Sequence, residues 1–390
     1  LLPYLYTTFQ KIKIMNNKNY IKKIAITSNT SWYLYNFRKN TIISLIEAGF
    51  KVYTISPVDN YSKKLKELGA EHINIKIDSA SKNPLIDLYT LISFYKIFKQ
   101  LRCNAVLNFT PKNNIYGTLA AKLNKIKVIN NIAGLGTLFV NDTISCKLAR
   151  NLYRYSQKYA DKIFFQNNDD LSLFLEKKYV DKVQVDRLPG SGVDLSRFTL
   201  SLSEYKHKFR FLLVARMLYE KGITFYVKAA RILKERYGDK VEFCLLGFVG
   251  VNNPSAITHK QMNNWVAEGI INYLGTSDTV ENELAQADCI VLPSFYREGV
   301  PKTLLEAGAM GKPIITTDNV GCRETVTHGF NGYICQPKSV SSLVDAMDRF
   351  INLPYEKKLK MGQNSRQKIE TEFDERIVIK KYLDALKEIM

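Results

Sequence analysis

Short runs of β-branched residues alternate along this chain with longer amphipathic stretches, and this alternation limits the possible folds more than any other feature. In the first half, strands are predicted at Lys23–Thr27, Val52–Ile55, Ala105–Asn108 and Ile126–Asn130, with helices such as Asn36–Ala48 and Leu85–Leu101 between them. Strand–helix alternation favours parallel sheets joined by crossover helices. Ligands of such sheets bind at the carboxyl ends of the strands.

The second half repeats the pattern. Strands are predicted at Phe209–Val214, Val241–Leu246, Cys289–Leu292 and Pro313–Thr316, and helices at Thr224–Tyr237 and Val280–Ala287. The stretch Pro189–Lys208 begins with a Pro-Gly-Ser-Gly turn cluster and ends in polar residues, so we place the domain boundary there. A chain of 390 residues is long enough for two α/β domains of similar size with a cleft between them.

We expect the first domain to cover residues 15–198 and the second residues 199–372, with a last helix, 373–390, packing back on the first domain. Residues 1–14 lack the long apolar core and the cleavage site of a signal peptide. We therefore expect Met15 to be the natural start and residues 1–14 to be an upstream extension. No apolar run reaches the roughly 18 residues that a membrane-spanning helix needs.

The net charge of +19 is unevenly distributed. Residues 1–200 hold 30 Lys and Arg against 14 Asp and Glu, a net charge of +16, and residues 201–390 have a net charge of only +3. A basic half attracts polyanions, either nucleic acid or an anionic membrane, unless the lysines only solvate the surface. Lys147, Arg150, Arg154 and Lys158 recur at helical spacing and can form one basic face.

Several classes of site are disfavoured. The six cysteines are scattered without a CxxC pair, and the four histidines are far apart, so a zinc site is not expected. No Asp-x-Asp pair occurs, which disfavours a metal–diphosphate motif. The absence of GxxxxGK[ST] and of GxSxG disfavours a P-loop kinase and the usual serine hydrolase.

The most informative segment runs from Glu298 to Glu306 and follows a predicted strand. Gly299 and Pro301 suit a tight loop, and a helix is expected from Lys302 to Met310. The first turn of a helix offers unpaired N–H groups and a positive dipole end, which favour a diphosphate. Carboxylates are good partners for vicinal sugar hydroxyls. An ordinary strand, loop and helix with exposed glutamates is the alternative.

A second constellation, Arg216 to Lys221, follows the strand FLLVA. Two cations at the carboxyl end of a strand can neutralise phosphates, although solvated surface cations would show the same pattern. Gly222 allows a sharp turn into the next helix. Two glycine-rich turns also occur. We interpret Gly190–Asp194, at the domain junction, as a linker that lines the cleft. Gly134–Gly136, in the first half, is either a loop that borders the acceptor or a plain turn.

These residues resemble the retaining glycosyltransferases of family 4, which have the GT-B fold of two Rossmann-like α/β/α domains with parallel sheets facing a central cleft. The strings GSGVDLSRF, LLVARMLYEKG, PSFYREGVPKTLLEAGAMGKPIITTD and VGCRETV follow the family's order between Gly190 and Cys335. They contain the family's Arg–Lys pair, here Arg216 and Lys221, and its Glu-x7-Glu motif, here Glu298 and Glu306.

The first half is similar to one bacterial branch of that family, on the strings SWYLYNFRKN, FTPKNNIYG, NIAGLGTLF and FQNNDDLSLF. Enzymes of this branch build capsule, O-antigen or lipid-linked glycan. They include N-acetylgalactosaminyl- and galacturonosyltransferases that act on undecaprenyl-diphosphate-linked sugars. Some family members place a histidine of the first domain near the reacting sugar, whereas Thr110 and Lys112 lie in that region here.

The resemblance implies catalytic roles for three side chains. Arg216 and Lys221 would bind the donor diphosphate and stabilise the leaving group. Glu298 would contact the hydroxyls of the donor sugar, with help from the backbone of Gly299 and Val300. It also implies donor contacts further along the motif. The backbone amides of Thr303 and Leu304 would contact the phosphates, and Glu306 would contact the nucleotide ribose.

The resemblance therefore implies a retaining, metal-independent transferase without a cofactor, whose donor is a UDP-sugar and whose acceptor is an undecaprenyl-diphosphate-linked saccharide. The sugar would be an N-acetylhexosamine, a hexose or a hexuronic acid. The enzyme would work at the inner face of the bacterial cytoplasmic membrane, on an anionic surface, and would not bind nucleic acid. The alternatives are the same chemistry on a soluble acceptor, a UDP-sugar epimerase of the same fold, or a non-enzymatic polyanion binder.

Overall fold

The computed structural model describes residues 21–78, 81, 83–136, 143–202 and 208–390, and it contains two parallel β-sheets flanked by helices. The predicted α/β architecture is thereby confirmed. Residues 1–14 and Met15, for which an upstream extension and a natural start were predicted, lie outside the described residues. Residues 203–207, part of the predicted domain boundary, also lie outside them. Among the described residues no helix is both long and apolar enough to cross a membrane.

The first sheet has the strand order β3-β2-β1-β4-β5-β6-β7. Its strands are β1 (Lys23–Thr27), β2 (Lys51–Ser56), β3 (Glu71–Asn74), β4 (Ala105–Phe109), β5 (Lys127–Ile132), β6 (Lys162–Phe165) and β7 (Val185–Arg187). The α-helices between and around them are α1 (Ser31–Glu47), α2 (Ser62–Glu67), α3 (Pro84–Leu101), α4 (Thr118–Leu123), α5 (Ile144–Gln157) and α6 (Asn168–Glu176). A π-helical turn, Asn113–Gly117, precedes α4.

The second sheet has the order β10-β9-β8-β11-β12-β13, and each of its pairings is parallel. Its strands are β8 (Phe209–Val214), β9 (Val241–Leu246), β10 (Asn272–Tyr273), β11 (Cys289–Leu292), β12 (Ile314–Thr317) and β13 (Gly332–Cys335). The helices are α7 (Ile223–Tyr237), α8 (His259–Ala267), α9 (Val280–Gln286), α10 (Lys302–Ala309), α11 (Val340–Ile351), α12 (Tyr355–Glu372) and α13 (Glu375–Ile389).

By compactness the chain divides into two units. The first ends at Asn130 and also takes Tyr159–Asp161 and Leu386–Met390, and the second comprises Asn131–Lys158 and Lys162–Ala385. The core of the second unit is continuous, since β11 and β12 are buried throughout and β9 and the centre of β8 are buried beside them, with buried side chains of α7, α10 and α11 in the same cluster. Burial on both faces explains why β11 is apolar at every position rather than at alternating ones.

The last helix, α13, belongs largely to the second unit. The buried ring of Tyr382 packs edge-to-face on Phe164 with 5.3 Å between centroids, and Lys381 Nζ donates to Asp186 Oδ2 at 2.9 Å. The chain that leads into this helix pairs with the Gly-Ser-Gly turn through Val193 N and Phe373 O at 2.9 Å. The expected domain limits at residues 198 and 372 stay a prediction.

Candidate functional site

Glu298 lies in the loop between β11 and α10, and its side chain is held by two donors. Its carboxylate forms an ion pair with Lys221 Nζ, and Ser294 Oγ donates to the same oxygen, Oε1, at 2.9 Å. Glu298 is only 9% exposed. A buried carboxylate needs such partners, because burying a charge without them is costly. The geometry therefore fixes Glu298 next to a cation.

Lys221 reaches Glu298 because of a tight turn. It ends a 3₁₀ turn, Tyr219–Lys221, and Gly222 follows with φ +79°. A Cβ at Gly222 would lie 2.1 Å from the carbonyl oxygen of Pro293, so only glycine lets this turn approach the Glu298 loop so closely. The carbonyl of Glu220 accepts from the amide of Phe295 at 2.9 Å and joins the two loops.

The far side of the Glu298 loop rests on the end of β12. Thr317 Oγ1 donates to the carbonyl of Ser294, and Asn319 Nδ2 donates to the carbonyl of Tyr296 at 2.6 Å. Gly321, at φ +79°, allows a close approach, because a Cβ there would lie 1.9 Å from the carbonyl oxygen of Gly299. Side-chain donors thus satisfy backbone carbonyls in a segment without regular secondary structure.

Segment Gln166–Asp170 holds the same loop from another direction, and sequence reasoning assigned it no role. Arg297 Nε donates to Asp170 Oδ1 at 2.6 Å, and Asn167 Nδ2 donates to the carbonyl of Glu298 at 3.1 Å. The amide of Val300 donates to Gln166 Oε1 at 3.3 Å. The string FQNNDDLSLF contains these residues, but nothing local in it indicates a partner about 130 positions away.

Helix α10 begins at Lys302, as predicted, and ends at Ala309. Its N-cap, Pro301, supplies no side-chain hydrogen bond, and the amide of Thr303 has no acceptor among the described residues. The amide of Leu304 is engaged within the helical turn, since it donates to the carbonyl of Pro301 at 3.0 Å. A helix start with an open amide can bind an anion such as a phosphate.

Glu306 lies on α10 and is partly exposed. Burial raises the pKa of its carboxyl to about 7, while the positive charges of Lys302 and Arg197 oppose the rise and the negative charge of Glu281 adds to it. Arg197 Nη2 is itself paired with Glu281 Oε2 at 2.8 Å. Glu306 forms no side-chain hydrogen bond within the described ranges, so it can accept one from a ligand.

Arg216 follows the end of β8 with an exposed side chain. Across the described part of the chain it has no ion pair and no side-chain hydrogen bond. The structure thus brings Lys221 and Glu298 into contact, and within the described ranges neither Arg216 nor Glu306 forms a hydrogen bond or an ion pair with them. The roles of these four residues, and of Gly299, Val300, Thr303 and Leu304, stay predictions. The arrangement can still place cations and a helix start around a diphosphate.

Two family profiles match the chain. "Glycosyl transferase 4-like" matches residues 23–167, and "Glycosyl transferases group 1" matches residues 200–368. Together the two profiles account for most of the described chain, and the second covers Arg216, Lys221 and the whole Glu298–Glu306 segment.

Curated relatives match most of the chain. The "N,N'-diacetylbacillosaminyl-diphospho-undecaprenol alpha-1,3-N-acetylgalactosaminyltransferase" of Campylobacter jejuni is 29% identical over 93% of this chain and 97% of its own length. The "UDP-Gal:alpha-D-GlcNAc-diphosphoundecaprenol alpha-1,3-galactosyltransferase" of Escherichia coli is 26% identical over 78% of this chain and 79% of its own.

Among solved structures, Alr3699/HepE of Anabaena in complex with UDP-glucose superimposes with a TM-score of 0.75. The match covers 94% of this chain and 99% of that one, at 15% identity. At this identity the likeness shows the fold alone, and it agrees with the two parallel sheets described above.

Proposed function

Because this chain belongs to the glycosyltransferases that join a 4-like part to a group 1 part, we propose that it moves a sugar from a UDP-sugar to a saccharide carried on undecaprenyl diphosphate. The observation that carries the proposal is the buried Glu298 carboxylate paired with Lys221 in a loop that leads into helix α10. Two relatives whose names specify undecaprenyl-linked acceptors support the acceptor class.

A UDP-sugar suits the charges around this loop. Arg216 is exposed and unpaired among the described residues, and Thr303 presents an open amide at the start of α10. Lys221 is paired with Glu298, but an ammonium group has three donor hydrogens and can serve a phosphate oxygen as well. The names of the Escherichia coli relative and of the Anabaena complex both contain a UDP-sugar.

The proposed reaction retains the configuration of the sugar. The glycosidic C–O bond breaks toward an oxocarbenium-like state, and negative charge grows on the departing diphosphate. Arg216, Lys221 and the amide of Thr303 stabilise that charge more in the transition state than in the ground state. The acceptor hydroxyl attacks from the face that the diphosphate leaves, and its proton passes to a diphosphate oxygen. This scheme balances without a metal ion or a protein base.

The two glutamates would grip the donor on either side of the diphosphate. Glu298 would accept hydrogen bonds from sugar hydroxyls, in the orientation that Lys221 and Ser294 give it. Glu306 would accept from the ribose. The backbone of Gly299 and Val300 would complete the sugar site mainly through shape, since the amide of Val300 already donates to Gln166.

A lipid-linked acceptor requires work at a membrane, and helix α5 offers one suitable face. Lys147, Arg154 and the C-cap residue Lys158 are exposed on it, and the apolar side chains of Leu148 and Tyr155 are each 54% exposed. Each cation near an anionic membrane contributes about 1 kcal/mol to binding. We place the enzyme on the inner face of the bacterial cytoplasmic membrane, where anionic lipids attract such a face.

Helix α3 has a second face of this kind, with apolar side chains toward its start and lysines toward its end. The exposed residues, spaced three or four apart along one stripe, are Leu85, Leu88, Tyr89, Ile92, Lys96 and Lys99. Leu85 is 75% exposed. A helix with this pattern lies in the interface plane of a membrane and buries its apolar face among the headgroups.

The activity is tested with the full chain, a panel of UDP-sugars and undecaprenyl-diphosphate-linked saccharides, and the mass of the product lipid as the readout. We expect one UDP-sugar to add one sugar residue to the lipid. Transfer to soluble sugar phosphates at an equal rate would contradict the lipid acceptor. Conversion of a UDP-sugar into its epimer without acceptor would contradict transfer altogether.

Membrane binding is tested by sedimentation with vesicles of anionic phosphatidylglycerol or neutral phosphatidylcholine at low salt. Leu88→Glu and Arg154→Glu should each weaken binding to the anionic vesicles by roughly fivefold or more, because each removes favourable contact and adds repulsion. Lys260→Glu, an exposed change on α8, is the matched control. Equal binding of the unaltered chain to both kinds of vesicle would refute the membrane surface as a partner.

A further inference from the structure

The loop that carries Glu298 has no regular secondary structure, so something must limit its motion if the carboxylate is to act on a sugar. Three side chains of the segment Gln166–Asp170 contact it at successive positions. Asp170 binds the guanidinium of Arg297, Asn167 binds the carbonyl of Glu298, and Gln166 binds the amide of Val300. These contacts hold the loop at Glu298 and on both sides of it, at Arg297 and at Val300.

The start of helix α6 fixes the donors and acceptors of this segment. Asn167 is the N-cap, and its Oδ1 accepts from the amide of Asp170 at 2.7 Å. Its Nδ2 donates to Asp170 Oδ2 at 3.1 Å and to the carbonyl of Glu298. Because the cap fixes which end of the amide faces the helix, the other end must point to the Glu298 loop.

Close packing leaves the loop little room to move. Gly134, at φ +92°, lies so near that a Cβ would come within 2.4 Å of the backbone nitrogen of Gly299. A Cβ on Gly299 would in turn lie 2.3 Å from Gln166 Oε1. The carboxylate of Asp170 is fully buried, whereas the side chain of Arg297 is 24% exposed, so Asp170 is the fixed end of the pair.

We propose that Asp170 and Asn167 are positioning residues for Glu298, which they hold through Arg297 and through the backbone carbonyl of Glu298. This inference rests on the proposed function, in which Glu298 contacts the donor sugar. Groups that act on a reacting centre must be held within about half an ångström, and a misplacement of about 1 Å can cost a hundredfold in rate. A loop with several conformations would lose that placement for part of the time.

Asp170→Asn is the first test. The carboxylate accepts from two donors, Arg297 Nε and Asn167 Nδ2, and an amide has only one oxygen, so one donor loses its partner. We expect kcat to fall roughly tenfold to a hundredfold, with the donor KM within about threefold of wild type, because the diphosphate contacts remain. Asp169→Asn, an exposed change on the same helical turn, should keep the wild-type rate.

A double-mutant cycle with Arg297→Gln separates positioning from general destabilisation. If Asp170 acts through Arg297, the variant that carries both Asp170→Asn and Arg297→Gln should be no slower than the slower single variant. If the two residues act independently, the fold-losses in kcat of the two single variants should multiply in the double variant. Rates are compared well below the melting temperature of each variant. Arg297→Lys, which keeps the positive charge, should be faster than Arg297→Gln.

Two results would overturn the positioning role: Asp170→Asn as fast as Asp169→Asn, or multiplying effects in the double variant. Both require a wild-type enzyme that transfers sugar. A wild type that transfers none would instead refute the proposed function, so the two failures are distinguishable.

Discussion

Glu298 and Glu306 lie eight residues apart on one loop and helix, yet their surroundings differ. Glu298 is buried, paired with Lys221, bonded by Ser294, and held at its backbone carbonyl by Asn167. Glu306 has no side-chain hydrogen bond in the described parts of the chain, and burial raises its pKa to about 7. One carboxylate is fixed by its neighbours, and the other responds to pH.

This difference indicates two kinds of task. A fixed carboxylate costs nothing to reorganise during a reaction, so it suits a group that acts in the transition state. A carboxylate without hydrogen-bond partners in the protein is stabilised when a bound ligand supplies them. Such an interaction forms in the ground state as well as in the transition state, so it contributes to binding of the donor. We therefore expect loss of Glu298 to lower kcat and loss of Glu306 to raise the donor KM.

The largest expected effect is that of Glu298→Gln. The amide keeps the size of the side chain but removes the charge that pairs with Lys221. We expect kcat to fall about a hundredfold to a thousandfold, since loss of one transition-state interaction of this type costs about 3–4 kcal/mol. Steady-state transfer kinetics measure it, with the exposed Glu235→Gln as a control. If Glu298→Gln raised the donor KM and left kcat unchanged, the proposed difference in role between Glu298 and Glu306 would be wrong.

Glu306→Gln should have the next largest effect. An amide oxygen is a weaker acceptor for ribose hydroxyls than a carboxylate, and a difference of about 1.4 kcal/mol is tenfold in affinity. We expect the donor KM to rise about tenfold while kcat stays within about threefold. Isothermal titration with UDP checks the affinity directly. Unchanged UDP affinity would remove Glu306 from the donor site.

A pH titration sharpens the comparison. Because the pKa of Glu306 is about 7, its carboxylate becomes protonated as the pH falls from 8 to 6, and the donor KM should rise severalfold over that range. Glu306→Gln should flatten this dependence. A profile identical in the wild type and the variant would contradict the assignment.

The same pKa predicts a stability effect with a definite sign. The folded-state pKa lies above the ordinary glutamate value of 4.5, so ionisation of Glu306 opposes folding. Glu306→Gln should therefore raise the melting temperature relative to wild type above about pH 7. That advantage should fade as the pH falls toward 4.5, and melting curves at both pH values measure it.

The smallest expected effect is that of Ser294→Ala. Its hydroxyl donates to Glu298 Oε1, but Lys221 still holds that oxygen, and a net hydrogen bond contributes about 1 kcal/mol. We expect kcat to fall about fivefold with an unchanged donor KM. A loss as large as that of Glu298→Gln would mean that Ser294, rather than Lys221, sets the orientation.

Much of the fold could be predicted because the signals are local. The predicted bounds of β8, β9 and β11, which are mostly apolar, match the structure to the residue, and the predicted start of α10 at Lys302 is confirmed. Other predicted bounds differ by one or two residues from the observed ones. The strand predicted at Ile126–Asn130 is β5, which runs from Lys127 to Ile132, because the buried stretch continues past Asn130. Strand β3, Glu71–Asn74, was missed because its short, half-exposed sequence shows no clear pattern.

The candidate site was less predictable because its contacts are not local. The motif indicated Glu298 and Lys221, and the structure brings them together. The Gln166–Asp170 segment was not indicated, since an Asn at a helix start is sufficiently explained as a cap. The pKa of Glu306 also depends on burial, which depends on how α10 packs rather than on the adjacent residues.

The tight packing around Gly299 has a consequence for protein engineering. A library that randomises Gly299 to change the sugar accepted would place side chains where Gln166 and Ala133 leave no space, and a side chain at Gly321 would collide with the carbonyl of Gly299. Most members of such a library would be inactive for steric reasons unrelated to sugar choice. Diversity is better introduced outside this closely packed loop and away from Arg216, Lys221 and Glu306, while Gly134, Gly299 and Gly321 are kept constant.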